Sequence, residues 1–159
     1  MVSVGLNLLI YAFGALILLH LGVWAAVWYL LLAAWLEFRA MRLHCVDCAY
    51  YGLPCAFGKG WLAARLFNWG DPARFDARDI TWRSFVSDFL IYLVPFAGAM
   101  LLLYRGFTWT IAALLAALTI LFFAGTAAVR GVIACPHCRQ RVMGCPAERL
   151  FGSDQAKRQ

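Results

Sequence analysis

Two short stretches of this sequence carry side chains able to hold a soft metal ion. One is CVDCAYYGLPC, with Cys45, Cys48 and Cys55; the other is CPHCRQRVMGC, with Cys135, Cys138 and Cys145. Both have the spacing C-x2-C-x6-C, and together they use all six cysteines of the chain. A histidine accompanies each: His44 precedes the first cysteine, and His137 sits inside the second C-x2-C. A C-x2-C pair lets two thiolates grip one ion from a single tight turn, a geometry used by zinc and by iron–sulfur sites. Two such pairs supply a tetrahedral four-thiolate set from Cys45, Cys48, Cys135 and Cys138. Cys55 and Cys145 then either build a second site with His44 or His137, or bridge two ions. A shorter echo follows each half, ARLF at 64–67 and ERLF at 148–151, as expected of two copies of one knuckle.

Zinc is the metal favoured by a closed set of thiolates on short loops. It would be structural, clipping the two segments together. Iron or an iron–sulfur cluster is the alternative and would make an electron carrier; Pro136 and Pro146 beside cysteines fit either. Disulfides are disfavoured if the cysteines face the cytoplasm, and a redox C-x-x-C needs an exposed, low-pKa thiol and a partner. The doubled C-x2-C-x6-C is similar in spacing to the binuclear zinc cluster of fungal transcription factors. That resemblance implies six cysteines around two zinc ions with two bridging thiolates. It covers only the two eleven-residue segments, and residues 56–134, including two membrane spans, separate the halves. DNA binding is therefore not carried over.

The elements that must position these cysteines are greasy. The chain has 159 residues, 64% hydrophobic and only 14% charged, with mean hydropathy +0.75. Soluble domains are nearer ~45–50% apolar, so this reads as one all-α integral membrane domain. No charge occurs from Val4 to Leu36. The run is long for one span and short for two. One long, tilted helix is expected, with a re-entrant pair as the alternative, giving three transmembrane helices, or four. A secretory signal does not fit, because the charged n-region is missing and the apolar run is too long. The second span is expected at 85–104, with Asp79 as its cap, Trp82 at the interface and a kink at Pro95. The third is expected at 107–129, joined to the second by a tight hairpin at Tyr104-Arg105-Gly106. Ala112, Ala113, Ala116 and Ala117 would let it pack closely. The resulting division is a membrane segment 1–38, a loop 39–83 with the first knuckle, a hairpin 84–130 and a tail 131–159 with the second.

Charge sets the orientation. Of fourteen basic residues, thirteen fall in the 39–83 loop or the 130–159 tail, and only Arg105 lies in the hairpin. The positive-inside rule puts loop and tail in the cytoplasm, on one face. It also explains the net charge of +6 by anionic headgroups, without nucleic acid.

Other residues are weaker candidates. His20 is the one histidine expected at membrane depth. It could ligate a macrocyclic cofactor, with Trp24 one turn away, although a hydrogen bond within the bundle is the simpler role. Asp88, a turn inside the second span, is expected at the interface near a helix N-terminus rather than on an ion path. Residues 58–70, GKGWLAARLFNWG, read as a short helix in the headgroup layer. The GKG within them lacks the rest of a phosphate loop. NWGDPARFDARD reads as a polar turn region and 152–159 as a frayed tail. No catalytic constellation is visible, which points away from an enzyme. The function expected is a non-enzymatic, metal-binding membrane scaffold or complex subunit, whose partners are the lipid bilayer and other membrane-protein subunits. A membrane electron-transfer component is the alternative, and a soft-metal or thiol handler is a third reading.

Overall fold

A backbone shielded from water can satisfy its own hydrogen-bonding groups locally only as a helix. The computed structural model describes residues 2–55, 57–76, 82–134 and 136–138, and among these it is all-helical, without a strand. The elements are α1 (Val2–Leu19), α2 (Val23–Ala40, running on as a π-helical turn Met41–Cys45), α3 (Gly60–Leu66), α4 (Pro72–Asp76), α5 (Trp82–Arg105) and α6 (Trp109–Ile120). The last continues through Leu121–Gly125, Thr126–Ala128 and Val129–Ala134, widening to π geometry in the first and third of these. Among the described residues, three helices are long and apolar enough to cross a membrane: Val2–Leu19, Val23–Cys45 and Trp109–Ala134. A shorter apolar helix covers Phe89–Arg105 of α5.

The first apolar run is therefore not the single tilted helix expected over 4–36. It folds back at His20-Leu21-Gly22 into two 18-residue helices that pack against each other. Gly22 makes the reversal, with φ 147° and ψ 154°, a region essentially reserved for glycine. Each helix is about 27 Å long, close to the ~30 Å hydrocarbon thickness, where one continuous helix would have exceeded it. The third span likewise begins at Trp109 and runs on to Ala134 rather than ending at 129. The polar turn region expected near residue 72 contains the short helix α4, with Pro72 in its first position, where the missing N–H costs nothing.

Contacts fix the course of the chain. Helix α1 packs on α2, α5 and α6. Its beginning lies beside the far part of α6, Leu6 against Gly125, and its end lies beside the middle of α5, Leu18 and Leu21 against Gly98. The chain thus runs up and down four times. The turns at 20–22 and 106–108 close one end; the 45–76 loop and the end of α6 occupy the other. Ile10, Ile17, Tyr92, Ala99, Ile111 and Leu118 form the core, with Tyr92 stacked on Phe122 at 4.9 Å. Of the alanines expected to allow close packing of α6, Ala112 and Ala117 are half-buried. Ala113 and Ala116 face outward, and Ile111 and Leu118 make the buried contacts. Leu8, Trp24, Trp28, Leu31 and Trp35 are exposed, so the outside is as apolar as the inside, as suits lipid.

One junction ties three helices together. Pro95 lies within α5 and is fully buried. It has no N–H to give the carbonyl of Ile91, four residues earlier. The Tyr29 hydroxyl of α2 donates to that carbonyl at 3.1 Å. Tyr29 reaches it by packing the hydroxyl end of its ring against Gly14 of α1, where a Cβ would come within 2.5 Å of the ring hydroxyl. The sequence suggests a kink at Pro95; the packing shows the freed carbonyl satisfied by a neighbouring helix.

Candidate functional site

The first knuckle begins inside the π-helical turn that ends α2. Cys45 is the last residue of that turn and accepts a bond from the Cys48 N–H at 3.4 Å. Further turns follow, Tyr51 N–H to Cys48 O at 3.0 Å and Gly58 N–H to Cys55 O at 2.9 Å. Cys45, Cys48 and Cys55 are half-buried, and neither they nor Cys138 are in disulfides.

The loop is a built unit. Asp47, 4% exposed, accepts a hydrogen bond from the Asp71 N–H at 3.1 Å. The Gly70 N–H donates to Val46 O at 3.2 Å, closing the segment on itself. Tyr51 donates to the Phe67 carbonyl and stacks on Trp69. Phe67 in turn meets Phe38 of α2, ring centroids 5.0 Å apart. The loop also crosses the start of α1. Gly58, at φ +68°, packs so closely on Val4 that a Cβ would meet its Cγ2 at 2.4 Å.

The sequence reading passed over the charge that docks this loop. Glu37, near the end of α2, accepts hydrogen bonds from Asn7 Nδ2 at 3.3 Å and from the Tyr11 hydroxyl, both on α1. Its other oxygen pairs with Lys59 Nζ from the loop. Both charged side chains are about one-fifth exposed, at 21% and 23%. Two helices and the cysteine loop thus meet at one carboxylate. The signal was present: Asn7 and Tyr11 are four residues apart, hence on one face of a helix, in an otherwise apolar run. Polar groups at such a place call for a partner.

The second knuckle follows a matching helix end. The last turns of α6, Val129–Ala134, are π-helical and lead directly to Cys135, as Met41–Cys45 lead into the first knuckle. His137 is exposed, with Nδ1 3.1 Å from Ile133 O, and Cys138 is half-buried. Cys135 and Cys145 lie outside the described residues, as do Asp79 and 139–159. Among the described residues, no three His, Cys, Asp or Glu side chains converge closely enough to hold an ion. The loop cysteines with His44, which is exposed, are therefore not a ready three-ligand set by themselves.

His20 is not inside the bundle. It is exposed in the α1–α2 turn, Nδ1 2.9 Å from Leu16 O, at the end opposite the cysteines, and Trp24 beside it is 77% exposed. Asp88 falls in the second turn of α5. Comparison with models of known protein families, with curated proteins and with solved structures gives no match, so the reading of this site rests on the chain's own residues.

Proposed function

We propose that the chain is a small metal-binding integral membrane protein, a non-enzymatic subunit or scaffold. In this reading zinc, held by cysteines of both knuckles, clips the 39–83 loop to the tail beyond Ala134 on the cytoplasmic face. The observation that carries it is the repeated arrangement of helix, π-helical turn and C-x2-C on α2 and α6. π-turns are rare and recur at functional sites. Both helices extend past the level where Glu37 meets Asn7 and Gly125 meets Leu6. From there α2 continues for about 12 Å of helix and α6 for about 15 Å before the first cysteine of each motif. The loop crosses the start of α1, and α1 packs on both α2 and α6.

The donor chemistry suits zinc. Cys45 and Cys48 bring two thiolates; Cys135 and Cys138 would complete the tetrahedron. A ligand set split between two segments forms only when they meet, so binding would order the tail on the loop. The bound ion would hold the ends of α2 and α6 at a fixed separation and create a rigid cytoplasmic surface for a partner subunit.

Metal content and the visible spectrum of protein purified without oxygen test this. Colourless protein containing zinc is expected. Cys45→Ser/Cys48→Ser and Cys135→Ser/Cys138→Ser should each abolish zinc retention, because a shared site fails when either half is removed. If each pair removed only its own half of the zinc, the clip between loop and tail would be wrong. Metal-free protein would end the metal reading, and a coloured iron protein would move the function to electron transfer.

A further inference from the structure

A helix faces lipid only over the stretch that charge and loops leave apolar. At the cysteine end of the bundle, the loop sets where that stretch stops. Gly58 of the loop lies against Val4 of α1, and Phe67, just past α3, meets Phe38 of α2. The Glu37–Lys59 ion pair stands at the same height, where Glu37 also accepts from Asn7 of α1. On the other two helices, Leu6 of α1 meets Gly125 of α6, and Phe89, the residue after Asp88 on α5, meets Phe122 at 5.8 Å.

The opposite end is marked by rings. Trp24, Tyr104 and Trp109 are 77%, 91% and 80% exposed, and His20 and Arg105 at this end are exposed as well. Arg105 is the one basic residue outside the loop and the tail. Amphipathic rings together with a charge mark the boundary between hydrocarbon and water. The depth between the two ends follows from the helical rise. Val4 to Leu19, Val23 to Phe38 and Phe89 to Tyr104 are each fifteen residues, about 22 Å; Trp109 to Gly125 is sixteen, about 24 Å. An average hydrocarbon core is ~30 Å thick, so each helix falls short by about 6–8 Å. Tilting does not help, because a tilted helix spans less. Helices α2 and α6 do run on past the loop, but their continuations carry Arg39, Arg42 and Arg130, whose place is the headgroup layer. The loop cannot slide outward to lengthen the belt, since Val4 and the Glu37–Lys59 pair fix its height.

We propose that the bundle is matched to a thin hydrocarbon core, about 23 Å deep, and gathers short-chain phospholipids as its surrounding layer. The lipid-facing surfaces of all four helices are the site, and acyl-chain length is what they select. The proposal rests on the membrane reading of the helices and not on the metal, so the two fail separately.

The test places the full chain in equimolar mixtures of dimyristoleoyl and dioleoyl phosphatidylcholine, with one or the other brominated on its acyl chains. Tryptophan quenching in each mixture is scaled to that in the pure brominated lipid. The brominated short-chain lipid should quench more, with about twofold enrichment at the protein surface, because mismatch is penalised weakly per Å and is shared among the surrounding lipids. Replacing dioleoyl by the longer dierucoyl lipid should enlarge the preference. Glu37→Gln/Lys59→Met removes the charge at the cysteine-end boundary. It should shift the preference toward dioleoyl whether the loop stays docked or lifts away, since both lengthen the apolar belt. Equal quenching in the two mixtures, or a preference of the unaltered chain for dioleoyl, would overturn the proposal. So would a short-chain preference that survives unchanged in the double variant, because the loop would then not set the edge of the belt.

Discussion

The carbonyl of Ile91 offers a demanding test of the helix packing. Pro95 deprives it of its intrahelical donor, and Tyr29 replaces that donor at 3.1 Å. Removing the hydroxyl with Tyr29→Phe keeps the ring on Gly14 and leaves a carbonyl in the bundle without a partner. An unsatisfied buried group costs about 1–3 kcal/mol. Helix–helix hydrogen bonds in membranes average nearer ~0.6 kcal/mol, because the unfolded segments find other partners. Ile91 is half-buried and the Tyr29 side chain almost wholly so, at 2% exposed. A cost of about 1–2 kcal/mol is therefore expected, a factor of roughly 5–30 in the folding equilibrium.

The same substitution in a Pro95→Ala background should cost almost nothing, because an alanine there restores the backbone N–H that the Ile91 carbonyl needs. Reversible unfolding in mixed detergent micelles would give the four stabilities of the cycle. Pro95→Ala alone combines a restored helix bond with lost ring packing, and its own sign does not matter to the coupling. The reasoning predicts a coupling of about 1 kcal/mol or more, well above the ~0.3–0.5 kcal/mol within which independent sites add. Equal costs of Tyr29→Phe in both backgrounds would refute it.

Two further predictions concern the loop and the course of the chain. Glu37→Gln keeps an acceptor for Asn7 and Tyr11 but loses the charge on Lys59. With both groups about one-fifth exposed, between ~1 kcal/mol for a surface pair and ~3–5 kcal/mol for a buried one, about 1–2 kcal/mol of loop docking should be lost. Maleimide labelling of Cys45, Cys48 and Cys55, read by peptide mass spectrometry, should quicken several-fold, and Lys59→Met should add little to it; unchanged labelling would remove Glu37 as the tie. The hairpin at Gly22 predicts that a tag ahead of Val2 and one after Gln159 are protected from the same side of a sealed membrane. Opposite protection would restore a single crossing over 4–36.

What could be read from the sequence was what hydropathy and spacing encode. The apolar hairpin through Arg105 and a short helix within 58–70, observed at Gly60–Leu66, follow from composition and periodicity alone. The doubling of the first run does not. Its reversal depends on the backbone angles of Gly22, and a glycine in an apolar run has no hydropathy signature. Length was the usable clue. As one helix, residues 4–36 would measure about 50 Å against a ~30 Å core, and tilting absorbs only part of that excess. Of the four alanines of α6 only Ala112 and Ala117 are half-buried, for a related reason. A list of alanines says which side chains permit close approach, whereas the partner's shape decides which face is used.

The cysteine motifs are legible because they are a matter of spacing; the groups that hold their loop in place are not. Glu37 stands just past the last residue of the charge-free run, inside the 1–38 segment, where hydropathy gives it no partner. Its role appears only once α1 returns beside α2 and brings Asn7 and Tyr11 to the same level. Misreading the first run as one helix and missing Glu37 are therefore a single error. A single helix places residues 7 and 37 about 45 Å apart; the hairpin makes them neighbours. The π-helical turns before each C-x2-C are hidden in the same way, since no residue type encodes them. A knuckle motif states which atoms are offered to a metal. Where the loop that carries the first motif sits depends on the fold beneath, here on a glycine and a carboxylate that the motif does not include.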